Sequence, residues 1–296
     1  MDWSHSVGVT GEGASALKQL RALPVEKLLE DVSSVDTIKA LAAGTTPPGM
    51  AMSIIDGRFL PERPEAALAA SQQAMVPVII GANDRALPIG SANSKDDLFA
   101  LFGPDAAQAR RLYDPLGNHT LDELKQQVCA DRTLVEPARH FANEMVRAGQ
   151  PVWLYRFAYV SGAQRGQNMG TLHAYEIPFT MNIPAALVGP DKVTPTDKAM
   201  GALTSAYWVS FGLTGDPNGD GRPMWPRHDP AVDRLIHFTN SGVIVGTDPL
   251  KPRLDLWQGC GAEIARSGSP DRLEERSWKR ILVSTTWEST AMGEQK

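Results

Sequence analysis

In the stretch GTLHAYEIPFTMN, residues 170–182, a histidine and a glutamate stand three positions apart, His173 and Glu176. Imidazole exchanges a proton near neutral pH, so a histidine on a loop just past a strand is suited to take a proton from a nucleophile. The nucleophile has to be sought among serines and cysteines. A serine on a sharp strand-to-helix turn follows the pattern G-x-S-x-G, because the backbone there tolerates little bulk. Only Ser15 has a glycine two places before it, in GAS, and Leu17 stands where the second glycine is required. Ser15 also opens a predicted helix with no strand ahead of it, which fits a helix cap better. No HGGG-type run offers an oxyanion hole. Cys129, in KQQVCADRTL, falls at a predicted helix end, and Cys260 falls in a C-terminal stretch of different character. Neither occupies an electropositive turn, so both read as structural thiols. Two distant cysteines in a chain of 296 residues do not make a disulfide framework.

Metal chemistry finds little support. The six histidines, His5, His119, His140, His173, His228 and His237, never stand at H-x-x-x-H spacing. HAYE alone is a weak metal signal. DPNGDG, residues 216–221, imitates the start of an EF-hand loop, but its twelfth position is Arg227, a cation where a bidentate glutamate is required. It reads as a Pro/Gly-rich surface turn. No metal and no cofactor is expected.

The elements that must position His173 are those of an ordinary globular chain. Hydrophobic residues make up 42%, charged residues 21%, and the net charge is −5. Lysines and arginines are scattered among acids, so no nucleic-acid partner is expected. The longest apolar runs, such as MVPVII at 75–80, are too short to span a bilayer, and no membrane partner is expected. MDWSHSVGVTGEG has neither a basic nor an apolar leader region, so no signal peptide is expected there.

Periodicity predicts helix over 15–31 with a break at Pro24, a loop at 45–50, a tight hairpin turn at Asp56-Gly57 within 53–61, and helix over 63–74. VPVIIGAN, 76–83, reads as a buried strand ending at a loop. Helix is predicted over 94–103, capped by Ser94 and stopped at Gly103, and over 138–149 with Phe141, Ala142 and Met145 inward. PVWLYRFAYV, 151–160, is apolar on both alternating faces except at Arg156, the pattern of an inner strand. The clearest helix is 194–215, with Thr194 as cap, Pro195 at its first position and Asp197 at its positive end. A hairpin around Asn240-Ser241-Gly242 follows within 233–246. Helices alternating with strands predict an α/β fold.

Several stretches in order resemble one family, the type B carboxylesterases and their cholinesterase relatives. LRALPVEKLL, IIDGRFLPERPEAALAA and VPVIIGAN are similar to its middle portion. DRTLVEPARHFANEMVRAGQPVWLYRF and GTLHAYEIPFTMN are similar to its catalytic-histidine region. AYWVSFGLTGDPNGDGRPMWPRHDP resembles its final helix and the Gly-Asp-Pro-Asn and Trp-Pro segment that follows. The resemblance covers roughly 9–257. It implies an α/β-hydrolase fold and hydrolysis of a small-molecule carboxylic ester by a Ser–acid–His triad, with His173 as general base.

Two departures shape the expectation. The nucleophile elbow and oxyanion loop of the family lie upstream of anything in these residues. The family's acid, in a G-x-N-x-x-E pattern, falls at Ala86 in GANDRALPIG. Asp84, two residues earlier, is a candidate acid only if the loop is re-aimed; it is equally a loop-capping residue. Loss of the serine costs roughly a millionfold in turnover and loss of the acid on the order of ten-thousandfold in triad hydrolases. The expectation is therefore the C-terminal portion of an α/β-hydrolase over 1–257, its later strands plus flanking helices, followed by an appendage over 258–296. Such a truncated form is inactive alone and would act on an ester only when completed by an N-terminal half. The alternative is a non-catalytic binding or association module of the same superfamily.

Overall fold

VPVIIGAN, PVWLYRF and DRLIHFT are β-branched and aromatic runs bounded by turn residues, and each supplies one strand of a single sheet. The computed structural model describes residues 5, 7–29, 55–62, 64–85, 92–166 and 170–257. Among these, β1 (Val78–Asn83), β2 (Val152–Phe157) and β3 (Arg234–Thr239) run parallel, and β4 (Gly242–Thr247) returns antiparallel to β3. The sheet order is β1-β2-β3-β4.

Side chains alternate across a strand, so β2 feeds two cores at once. Trp153 and Phe157 pack with Phe179, Met200, Tyr207, Trp225, Ile236 and Phe238. Val152 and Leu154 pack on the other face with Ala142, Met145 and Leu235. Two helices supply those faces, α7 (Glu136–Arg147) and α10 (Pro195–Thr214). Arg156, the exception in an otherwise apolar strand, is buried and ion-paired to the buried Asp248. A buried charge requires such a partner.

Among the described residues the remaining α-helices are α1 (Gly13–Ala22), α2 (Val25–Leu29), α3 (Pro64–Ala69), α4 (Lys95–Ala100), α5 (Ala106–Tyr113), α6 (Leu121–Ala130), α8 (Ile177–Thr180), α9 (Ala185–Val188) and α11 (Lys251–Leu254). A satellite core joins α4, α5 and α6 to Trp257 through Phe99, Phe102, Tyr113 and Leu124. Helices α6 and α7 are continuous through a π-helical turn at Asp131–Val135, in which the Glu136 N–H donates to Asp131 O, five residues back. Pro137 accounts for it. It has no N–H for the Thr133 carbonyl, and its ring displaces that carbonyl, so the helix widens locally.

Thr194 and Asp197 form the capping box that starts α10, and Gly215 at φ +74° ends it. Ser94 caps α4 by accepting the Asp97 N–H. The sheet hairpin turns at Asn240 and Ser241 as the spacing predicts.

Three expectations are corrected. Residues 55–62 form no strands: the Asp56 carboxylate accepts the N–H groups of Arg58, Phe59 and Leu60 at 2.9, 2.8 and 3.0 Å, which folds the segment into a capped loop instead of a hairpin. The helix predicted over 63–74 spans Pro64–Ala69, because the chain turns left-handed at Ser71, φ +57°. Ser15 is not a cap; it lies inside α1, which starts at Gly13 after Glu12. The predicted loop at 45–50, Ala86, Cys260 and the tail 258–296 lie outside the described residues. No helix among the described residues is long and apolar enough to cross a membrane.

Candidate functional site

Strands β1 and β2 are parallel and in register from Val78↔Val152 to Asn83↔Phe157, so the segments leaving them emerge on the same edge of the sheet. That edge, the carboxyl ends of parallel strands, is where α/β sheets hold their sites. Asp84 leaves β1 there, and the segment leaving β2 reaches His173.

The three residues at the exit of β1 grip the two residues before His173. The Asn83 side-chain amide donates to Leu172 O at 2.6 Å. The Asp84 carboxylate accepts the Thr171 N–H at 2.7 Å. The Arg85 N–H donates to Thr171 O at 3.1 Å. Gly170 is required beside this latch: a Cβ there would fall 2.8 Å from Asp84 Oδ1 and 2.7 Å from Arg85 Cγ. Burial pushes the Asp84 carboxyl up from its ordinary range, against the Thr171 N–H and the nearby charges of Arg85 and Arg156.

The same loop is fastened at its base. Thr171 Oγ1 donates to Tyr159 O at 2.7 Å, and the Tyr159 hydroxyl donates to Asp197 Oδ1 at 2.8 Å. The Gly162 N–H reaches the same oxygen at 3.1 Å, and the Val160 N–H reaches Asn240 Oδ1 at 2.8 Å. Asp197 therefore does more than start α10. Burial raises its carboxyl, but the Thr194 N–H and hydroxyl, the Tyr159 hydroxyl and the Gly162 N–H together hold it below the ordinary aspartate range.

His173 opens a turn over 173–176 and is exposed. Ala174 beside it sits at φ +67°, a left-handed conformation that a non-glycine residue adopts at a cost of about 1–3 kcal/mol. Among the described residues the His173 ring makes no hydrogen bond or ion pair. His228 is the contrast. It is buried, with Nε2 2.7 Å from Asn143 Oδ1 and Nδ1 3.1 Å from Arg234 O. Both its ring nitrogens are engaged in structure, whereas those of His173 are uncommitted.

His173, Glu176, Asn83, Ala82, Gly81 and Leu134 line a small cleft of about 100 Å³. Leu134 reaches it from the π turn, a local rearrangement that periodicity does not reveal. Glu176 is anchored across the cleft, with the Asn83 amide nitrogen donating to its Oε2. Asn83 is 3% exposed, and its Oδ1 has no partner among the described residues. The sequence displayed the His173–Glu176 spacing, but only as a weak metal signal. Among the described residues no group of three or more His, Cys, Asp or Glu side chains is placed to hold a metal ion. The structure thus brings Asp84 to the His173 loop through Thr171, and brings Glu176 to the same cleft as His173.

This arrangement can hold an imidazole at a strand-end cleft with its loop braced from three sides. The candidate Ser15 lies in α1, and Cys129 lies buried in α6, its thiol 3.8 Å from the Thr133 hydroxyl.

The model of the carboxylesterase family matches residues 105–257, a span that includes His173 and begins after β1. Acetylcholinesterase of Gallus gallus is 28% identical over 159 residues, 53% of this chain and 20% of that protein. Acylcarnitine hydrolase of Rattus norvegicus is 28% identical over 224 residues, 63% of this chain and 40% of that protein. Cocaine esterase of Homo sapiens is 28% identical over 239 residues, 71% of this chain and 41% of that protein. The chain thus spans a fifth to about two fifths of the length of these relatives.

Proposed function

Because this chain belongs to the carboxylesterase family, and so to proteins of α/β-hydrolase fold that hydrolyse carboxylic esters, we propose that it supplies the proton-shuttling portion of an ester hydrolase. His173 is the general base. It takes the proton of a serine hydroxyl as that oxygen attacks the ester carbonyl, and returns it to the departing alcohol. The substrate is a small-molecule carboxylic ester. The observation that carries the reading is the placement of His173: exposed, unpartnered among the described residues, and facing a cleft at the carboxyl edge of β1 and β2.

The 296 residues contain no G-x-S-x-G turn. In this reading they form the C-terminal portion of the catalytic unit over 1–257, with 258–296 as an appendage, and the serine comes from a separate segment. That segment adds its strand at β1, whose outer edge pairs with no strand among the described residues. The chain alone is inactive. The test is to mix it with the serine-bearing N-terminal portion of a carboxylesterase and follow hydrolysis of 4-nitrophenyl acetate. Activity that appears on mixing and is abolished by His173→Gln is the expected result. Activity on mixing that survives His173→Gln defeats it.

A second reading has one observation in its favour. Val209 and Leu213 on α10, with Met224, are 57%, 80% and 76% exposed. Apolar residues so exposed suit a non-catalytic association module. A chain that sediments as a monomer at all concentrations tested speaks against that reading.

A further inference from the structure

A histidine base works best when a carboxylate accepts the hydrogen bond of one ring nitrogen, which holds the proton there and leaves the other nitrogen free to receive. Asp84 is poorly placed for this role in the structure. One of its carboxylate oxygens is engaged by the Thr171 N–H at 2.7 Å, and Gly170 packs against that same oxygen. Ala86 has no carboxylate at all.

Among the described residues that line the cleft with His173, Glu176 is the one carboxylate. It belongs to the same turn as His173, three residues on. The Asn83 amide fixes its Oε2 from the exit of β1, while Oε1 receives no hydrogen bond among the described residues. Anchoring by Asn83 matters, because a glutamate left to rotate freely in solvent would rarely face the ring. Asn83 also holds Leu172 O at 2.6 Å, so one buried side chain sets both the carboxylate and the start of the histidine turn.

We propose that Glu176 is the positioning carboxylate of His173, its Oε1 accepting the Nδ1–H of the imidazole, while Asp84 serves as the latch of the loop. Nδ1 keeps its proton throughout. Nε2 carries the free lone pair, takes the proton of the attacking hydroxyl and later releases it to the leaving alcohol. The Glu176 carboxylate opposes the positive charge of the transient imidazolium. The two side chains share the cleft without a hydrogen bond in this structure; rotation of the exposed imidazole toward Oε1 closes the contact in the free chain, before any substrate binds.

This proposal rests on the reading of His173 as the proton shuttle, but its test needs neither serine nor substrate. The 296-residue chain is prepared with ¹⁵N-labelled histidine, and His173→Gln identifies the His173 resonances. The ring ¹⁵N shifts then give the share of neutral imidazole protonated on Nδ1. Glu176→Gln is expected to lower that share by about threefold, since a charge-assisted hydrogen bond is replaced by a neutral one. Asp84→Asn, which keeps an acceptor oxygen for Thr171, is expected to leave it unchanged. If Glu176→Gln disturbs the amide resonances of His228 and His237, which sit against β2 and in β3, Glu176→Asp provides the second variant. It withdraws the carboxylate by one methylene and is expected to lower the share as well. An unchanged share in a folded Glu176 variant overturns the proposal, and so does a fall caused by Asp84→Asn. Hydrolysis on mixing can fail while the tautomer result holds, and the reverse, so the two readings fall separately.

Discussion

The Asp84 carboxylate accepts the backbone N–H of Thr171 at 2.7 Å, across 87 residues of sequence and two residues before His173. This contact turns an aspartate that resembles a displaced catalytic acid into the fastening of the histidine loop. It also links β1, which precedes the span matched by the family model, to the turn at the centre of that span.

Asp84→Ala removes the acceptor and leaves the Thr171 N–H without its partner. A hydrogen bond to a charged group contributes about 1.5–3 kcal/mol. Urea unfolding is expected to show a loss within that range. Amide exchange at Thr171 is expected to quicken by tenfold or more, while exchange in β3 changes only with global stability.

Gly170→Ala tests the same latch from the other side. The added methyl meets Asp84 Oδ1 at 2.8 Å and Arg85 Nε at 2.9 Å, both closer than a real Cβ tolerates. Overpacking of this kind costs about 1–3 kcal/mol. Thermal unfolding is expected to report a lower midpoint for this variant than for Gly117→Ala, where the added Cβ meets nothing within 4 Å and only the left-handed backbone resists.

Asp197 gathers four donors, so Asp197→Ala removes the N3 half of the capping box that Thr194 begins and strands the Tyr159 hydroxyl. Loss of a cap costs about 1 kcal/mol and an unsatisfied buried group a further 1–3 kcal/mol. Because the folded state holds this carboxyl below its ordinary value, its contribution is present at neutral pH and is lost as pH falls below about 4. The difference in stability between wild type and Asp197→Ala is therefore expected to shrink in acid.

Glu136 has the opposite sign. Burial pushes its carboxyl up to about 7, against the charge of Arg139 and with the added repulsion of Asp233. The folded chain then binds a proton that the unfolded chain has released, so stability falls as pH rises from about 4 to about 7. Glu136→Gln is expected to flatten that slope and to unfold at a higher temperature than wild type at pH 8, with little difference at pH 4. Calorimetric scans across this range check it.

The parts of the fold that were legible beforehand are those written in neighbouring residues. Thr194, Pro195 and Asp197 announce α10 because cap, first-turn proline and N3 acid act within four positions. The alternating apolar faces of 151–160 announce β2, and Asn240-Ser241-Gly242 announces the β3–β4 turn. Local reading failed at Asp56, where a carboxylate that satisfies three N–H groups outcompetes a hairpin. At the candidate site, His173 stands out through its segment GTLHAYEIPF. Its supports do not, because Asn83 and Glu176 meet across 93 residues and Leu134 arrives through a π turn that breaks the 3.6 period. Contacts of that separation depend on the packed sheet and leave no trace in spacing.

The most direct measurement is the intact mass of the 296-residue chain after exposure to an active-site-directed organophosphate. A chain that shuttles protons without supplying the attacking oxygen keeps its mass unchanged. A stoichiometric phosphoryl adduct on one of its own serine hydroxyls, formed in the wild type and lost in His173→Gln, would contradict the account.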